Sequence, residues 1–212
     1  LKSFSLYDLQ GNLVPASNLP TARILRGEKT LGEEFLLVSK AGRFNIKVFS
    51  EDIPSMYGQE ATALIFFQDI TALKKTENDL RLLADSMPQI VWRANPEGEL
   101  DYFNQIWFDY CGAGYEENKG AGWVQFVHPE DLGKTAERWK ESLETSRPYE
   151  NEFRLRHHSG DYRWHVARAR PIYDDAPMSQ RKVKNWYGTN TDIHDQKLLT
   201  DKLDEARSSA ER

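Results

Sequence analysis

Leu73, Thr76, Leu80, Leu83 and Met87 follow one another at spacings of three, four, three and four. That rhythm suits one seam of a two-helix pair, and Pro88 closes it, because proline lacks an N–H and disfavours a helical residue before it. Short apolar runs of strand type stand on both sides, residues 63–67 before and 90–92 after. The pattern therefore predicts a helix clamped between two sheets.

Earlier in the chain, residues 4–7 read as a strand fragment, 21–26 as a short helix ended by Gly27, and 34–39 and 43–50 as a hairpin across Lys40-Ala41-Gly42. Residues 63–70 supply a third strand. Beyond the joint, 89–94 and 99–103 flank the turn Asn95-Pro96-Glu97-Gly98, and Asn104 is placed to cap a helix over 105–110. A helix over 129–145 carries Leu132, Ala136, Trp139 and Leu143 on one stripe, which predicts a buried face. Strands over 149–156, 162–170 and 183–193 follow, with a polar loop at 173–182.

The joint occurs twice. Asp69-Ile70-Thr71 returns as Asp192-Ile193-His194, an offset of 123 (192 − 69), and the seam positions fall on Gln196, Leu199, Leu203, Ala206 and Ala210. At an offset of 118, Glu34-Phe35 meets Glu152-Phe153, Gly42 meets Gly160, Phe44 meets Tyr162 and Val48 meets Val166. The second copy then carries five more residues (123 − 118), assigned to the 173–182 loop. Nothing in residues 1–20 matches the block 92–111, so the first copy reads as a three-stranded fragment with an exposed edge. The tail reaches Arg212 without a stop signal, as a helix that continues would.

Composition narrows the setting. Hydrophobic content of 39% with 29% charged residues is ordinary for a soluble chain, and a net charge of −5 argues against binding nucleic acid through its phosphates. A single cysteine, Cys111, cannot make an intrachain disulfide, which fits the cytoplasm. No apolar run approaches the roughly 20 residues needed to span a bilayer, although a span elsewhere in a longer parent protein stays open.

Five stretches together carry a family likeness: Met87-Pro88-Gln89-Ile90-Val91-Trp92, Gly98-Glu99-Leu100-Asp101-Tyr102-Phe103-Asn104, Trp123 with Phe126-Val127-His128-Pro129-Glu130-Asp131, Gly160-Asp161-Tyr162-Arg163-Trp164, and Gly188-Thr189-Asn190-Thr191-Asp192-Ile193. They resemble the PAS family of sensory modules. Pro20, Arg26-Gly27-Glu28 and Asp69-Ile70-Thr71 resemble the later half of a second such module. The resemblance implies an α+β fold, with a five-stranded antiparallel sheet, short helices on one face, and connecting and C-terminal signalling helices. It divides the chain into half a PAS domain (1–71), a linker helix (72–87), a complete PAS domain (88–194) and a coiled-coil-type helix (195–212).

What the resemblance implies about function is a sensory and relay module of a sensor histidine kinase, with no catalysis of its own. The module would be a homodimer through helices 72–87 and 195–212 that passes its state to a downstream kinase or other output domain. The relay residues would be Asp69, Thr71, Leu73, Leu80, Leu83, Asp192, Leu199 and Leu203. Two alternatives are a light or redox sensor holding flavin or haem, and a protein-docking and dimerisation scaffold.

Candidate chemistry is sparse. Trp92, Phe103, Phe108, Trp123, Phe126, Trp139, Phe153, Trp164 and Trp186 supply rings that either surround a small ligand or fill the core, and six tryptophans favour filling. No cofactor is evident from the sequence. On the strand over 162–170 the apolar parity shifts from Tyr162, Trp164 and Val166 to Ala167 and Ala169, which marks a bulge or leaves ligand room. Cys111 lacks the Asn-Cys-Arg-Phe-Leu-Gln run of flavin-binding relatives and reads as a structural thiol. His128 is a cap residue, His157 and His158 sit in a solvated turn, and His165, opposite Trp164, is expected outside. His194 takes the place of Thr71 and lacks a phosphoacceptor context. No Cys/His metal spacing is present. The acidic pairs Glu116-Glu117 and Asp174-Asp175 read as solvated surface, and the glycines at 112, 114, 120 and 122 do not form a nucleotide loop.

Overall fold

The computed structural model describes residues 4–53 and 62–210, so residues 1–3, 54–61 and 211–212 of the predicted first segment and tail lie outside it. The chain forms two compact units, residues 1–80 and 81–212, each with its own antiparallel sheet.

The first unit contains β1 (Phe4–Tyr7), α1 (Pro20–Ile24), β2 (Leu31–Ser39), β3 (Gly42–Ile53) and β4 (Thr62–Asp69), with strand order β1-β2-β3-β4. After β1, the Asp8 carboxylate accepts the Gln10 and Asn12 amides at 3.0 and 2.8 Å, which fixes the turn. Leu6, Phe35, Ile46 and Val48 are buried, with Val14 and Leu19 packed on them. The expected three-stranded sheet is thus four-stranded: β1 pairs with β2 through Leu6 and Leu37, covering one of its edges. β4 ends the sheet on the other side.

Helix α2 (Thr71–Ser86) leads into the second unit. There β5 (Ile90–Ala94), β6 (Leu100–Phe103), α3 (Gln105–Cys111), α4 (Tyr115–Asn118), α5 (Leu132–Thr145), β7 (Tyr149–Arg156), β8 (Tyr162–Tyr173), β9 (Val183–Asp192) and α6 (His194–Ala210) follow in order. The sheet runs β6-β5-β9-β8-β7. Tyr149, Asn151, Phe153 and Leu155 alternate inward along β7, because successive strand side chains point to opposite faces. Their partners on β8 are Ala169, Ala167, His165 and Arg163, so that set shares the inner face.

This register corrects three expectations. Pairing is continuous from His165 to Ile172 on β8, so the parity shift is not a bulge in that stretch. Trp164 and Val166 belong to the outer face, and His165, expected outside, is buried with 1% exposure. The repeat offset also changes along the chain. Phe35 pairs with Ile46 as Phe153 pairs with His165, so β3 matches β8 at an offset of 119 (165 − 46), not 118. Val48 therefore corresponds to Ala167 rather than Val166, and Phe44 to Arg163 rather than Tyr162. The two-residue turn between Ser39 and Gly42 is replaced by a longer one between Arg156 and Tyr162, which supplies the extra residue.

The predicted stripe on α5 also needs adjustment. Leu132, Trp139 and Leu143 are half-buried, but Ala136 is exposed while Thr135 and Ser142 are buried. Thr135 accepts a hydrogen bond from the Asn151 side chain at 3.0 Å, which compensates a polar group on the inner side.

Candidate functional site

Each sheet hands its last strand to a helix through the same set of contacts. In the first unit the Ile70 amide donates to the Asn45 carbonyl (2.8 Å), the Asn45 amide to Thr71 Oγ1 (2.8 Å), and the Thr71 amide to Asp69 Oδ1 (2.8 Å). In the second, the Ile193 amide donates to the Trp164 carbonyl (2.9 Å), the Trp164 amide to His194 Nδ1 (3.4 Å), and the His194 amide to Asp192 Oδ1 (2.9 Å). An ion pair completes both: Lys74 with Glu34 at 2.8 Å, and Lys197 with Glu152 at 2.7 Å. A ring nitrogen of His194 thus accepts where the first copy uses a threonine hydroxyl.

The aspartates act as helix caps, since they accept backbone donors that the first turn leaves free. Hydrogen bonds from Thr71 hold Asp69 below the ordinary carboxylate range. Burial pulls Asp192 upward, but its bonds to Arg163 and the His194 amide outweigh that and hold it low. The second joint has an added clasp, in which Arg163 reaches Asp192 at 2.5 Å and Asp195 at 3.1 Å. The other relay candidates, Leu73, Leu80, Leu83, Leu199 and Leu203, are each more than half exposed along α2 and α6.

The aromatic residues close over the inner face of the second sheet. Trp92, Phe103, Trp123, Trp139 and Phe153 line a cavity of about 30 Å³, together with Trp107, Tyr149 and Asn190. That volume admits roughly one or two waters, whereas sites for drug-sized ligands run to several hundred Å³. Trp92 donates to Asn190 Oδ1 at 2.9 Å, and Trp139 meets Trp92, Tyr149 and Trp186 edge-on with centroids 5.7, 5.1 and 5.2 Å away. Phe108, Phe126 and Trp186 pack in the same core without lining the cavity. Burial pushes the Tyr149 hydroxyl up to about 12.

Trp164 is a correction to the expected ring set. It lies on the outer face between the Arg154 guanidinium and the Lys197 ammonium, 5.2 and 4.7 Å from its ring centre. Trp107 was not among the expected rings, yet it is 1% exposed and stacks on Phe103 at 5.2 Å. Its place in the run Gln105-Ile106-Trp107-Phe108 offers no cue to which side faces in. Asn104, placed by the sequence to cap α3, makes no side-chain cap bond to it, and its side chain bonds Ala84, Gln89 and Val91 instead.

The remaining candidates have structural surroundings. Cys111 is buried, and burial pushes its thiol up, away from the reactive thiolate. His128 Nδ1 accepts the Glu130 amide at 3.3 Å, beside Asp131, which holds Arg154 at 2.8 Å. His157, expected to be solvated, is half-buried with its ring against Tyr110, while His158 is exposed. Among the described residues no three His, Cys, Asp or Glu side chains group as metal ligands, and no helix is long and apolar enough to cross a membrane.

A five-stranded antiparallel sheet in this order, helices over its inner face, and a capped exit helix define the class. Residues 100–189 match the family model of the PAS fold, and the second unit is a PAS domain. Curated proteins similar in sequence include these two. The peroxide stress-activated histidine kinase mak1 of Schizosaccharomyces pombe is 35% identical over 154 residues, covering 68% of this chain. The uncharacterized protein y4lL of Sinorhizobium fredii is 34% identical over 137 residues, covering 65%. The chain spans 9% and 16% of the length of these two relatives. Among solved structures, an RNA-binding light-oxygen-voltage receptor aligns with a TM-score of 0.50 at 15% identity, over 79% of this chain and 44% of that one. At that identity the likeness bears on the fold alone.

Proposed function

We propose that this chain is a cytoplasmic sensory and relay segment of a sensor histidine kinase, in which a PAS domain and a preceding half-module pass conformational state along their exit helices. The observation that carries this reading is the repeated joint. The same capping aspartate, strand-to-helix bonds and lysine–glutamate pair recur where each sheet releases a helix, although the first sheet adds β1 beside β2 and the second adds β5 and β6 beyond β9. Similarity to a histidine kinase over 68% of the chain supports the setting. In this reading residues 1–71 are the later half of a PAS module, and the output chemistry belongs to a downstream kinase domain. A small ligand acting in the aromatic core of the second unit would have to displace its rings, since the cavity there is about 30 Å³.

Relay through helices needs an element with two arrangements, and paired helices provide one through register or crossing angle. α2 buries no residue, and its exposed Leu80 and Leu83 sit three apart, as a seam with a second copy requires. Replacing both with Asp puts two charges into that seam. Multi-angle light scattering is expected to show a dimer for the parent chain and a shift to monomer mass for the double variant. An unchanged dimer mass would overturn the paired-helix reading.

A further inference from the structure

The short helix α3 touches both ends of the route through the second unit. At its N-terminal side, Asn104 is 1% exposed and joins three segments. Its side-chain amide donates to the carbonyls of Ala84 (2.8 Å) and Gln89 (3.0 Å), and its Oδ1 accepts the Val91 amide (2.9 Å). Next to it, Asp85 Oδ1 accepts the Gln105 amide at 2.7 Å. The last turn of the incoming helix is therefore bonded to the first residue of α3.

At the C-terminal side the links continue toward the outgoing helix. The Tyr110 carbonyl accepts the His158 amide at 2.8 Å and its hydroxyl donates to the Leu155 carbonyl at 3.0 Å. Its ring lies edge-on to His165, with centroids 4.9 Å apart. Gly112, at φ 70°, ends the helix so close to the β7–β8 turn that a Cβ would stand 3.0 Å from that of His158. His165 Nδ1 lies 3.1 Å from the Arg163 carbonyl, and Arg163 is the residue that clasps Asp192 and Asp195 where α6 starts. Between its ends α3 is one rigid piece of about 10 Å. Trp107 anchors it, stacked on Phe103 and edge-on to Phe126 at 5.4 Å.

We propose that α3 is a strut: displacement of the last turn of α2 is transmitted through Asp85, Asn104 and Tyr110 to the Arg163 clasp that holds the start of α6. This deepens the relay reading and rests on it. Asp85 and Asn104 act here as positioning residues, because neither touches α6.

The test is amide hydrogen exchange on the full chain, comparing the parent with Asp85→Ala and Asp85→Asn. Asp85 lies near the surface, so its truncation leaves the core intact. The strut predicts that Asp85→Ala speeds exchange roughly fivefold, the effect of one lost hydrogen bond, at the His158, Ile193 and His194 amides as well as at Gln105. Asp85→Asn, which keeps an acceptor, is expected to restore most of the protection. The amides of Tyr149 and Ala169, far along the sheet, serve as controls and should not change. Faster exchange confined to Gln105, or an equal rise at the control amides, would overturn the strut. The light-scattering experiment reads a different property, so loss of the strut and loss of the paired-helix arrangement are separable.

Discussion

Gly188 offers a sharp test of how the aromatic core is built. It pairs directly with Trp92 across β5 and β9, and the indole lies against the bare backbone. A Cβ at Gly188 would stand 2.3, 2.5 and 2.7 Å from three atoms of the six-membered ring. To reach ordinary contact the ring must move by about 1 Å in a close-packed interior, where Trp139 also packs against it, T-shaped with centroids 5.7 Å apart. Overpacking of this kind costs about 1–3 kcal/mol, and breaking the Trp92–Asn190 bond adds about 1 kcal/mol. Alanine recovers about 0.5–1 kcal/mol over glycine within a strand. The net expectation for Gly188→Ala is a loss of about 2 kcal/mol. All six tryptophans belong to the second unit, so their fluorescence during a urea titration reports that unit alone. With an m value of about 2 kcal/mol per M, the midpoint should fall by about 1 M. Trp92→Phe removes the clashing atoms, so adding Gly188→Ala to it should cost little beyond Trp92→Phe alone. A midpoint within about 0.2 M of the parent for Gly188→Ala would refute the reasoning.

Three further outcomes follow from single side chains. Burial holds His165 below the ordinary 6.5, against the upward pull of the Arg163 carbonyl and Asp192 and with Arg163 and His194 adding to the depression. The unfolded chain then takes up the proton more readily, so stability is full above about pH 6.5 and is lost as the pH falls through the folded value; urea midpoints from pH 7 to 5 should decline less for His165→Leu. The bonds from Arg154 hold Asp131 below the ordinary 3.8, so its contribution is present above about pH 4 and lost as acid protonates it. Asp131→Asn should cost about 1–2 kcal/mol at pH 7 and flatten the acid limb of the same titration. Ser146 ends α5 at φ 53°, a conformation that costs a non-glycine residue about 1 kcal/mol, so Ser146→Gly should raise the thermal midpoint by several degrees.

The elements and the joint were legible because each rests on local signals. Proline at 88, the glycine turns and the three-four spacing of α2 depend on neighbours in sequence. The inner face of β8 was not legible, because side-chain parity depends on pairing and a one-residue error reverses every side chain. Two aromatic side chains, Tyr162 and Trp164, suggested an inward face that the outer surface occupies instead. Arg154 and Lys197 cover Trp164 there, and neither is near it in sequence. Asn104 shows the same limit. Its position before a helix is that of a cap, but its partners at Ala84, Gln89 and Val91 appear only once α2 has been brought beside β5.

The corrected offset also separates what the two copies share from what only the second has. Asn45 corresponds to Trp164 and Thr71 to His194, and these four residues make the same backbone-directed contacts. Phe44 and Ile46 stand where the second copy has Arg163 and His165, so the first joint has the cap without the clasp. Ile65 stands where Gly188 receives the Trp92 ring, and no strand of the first unit lies on that side of β4 among the described residues. A side chain is tolerated at that position because no indole has to approach it. The joint shared by both copies consists of a capping aspartate, one acceptor and one ion pair, whereas the clasp adds Arg163, with His165 bonded behind it. If coupling between incoming and outgoing helices resides in the clasp, it belongs to the second unit. Asp192→Asn should then alter exchange at the start of α6 more than Asp69→Asn alters it at the start of α2.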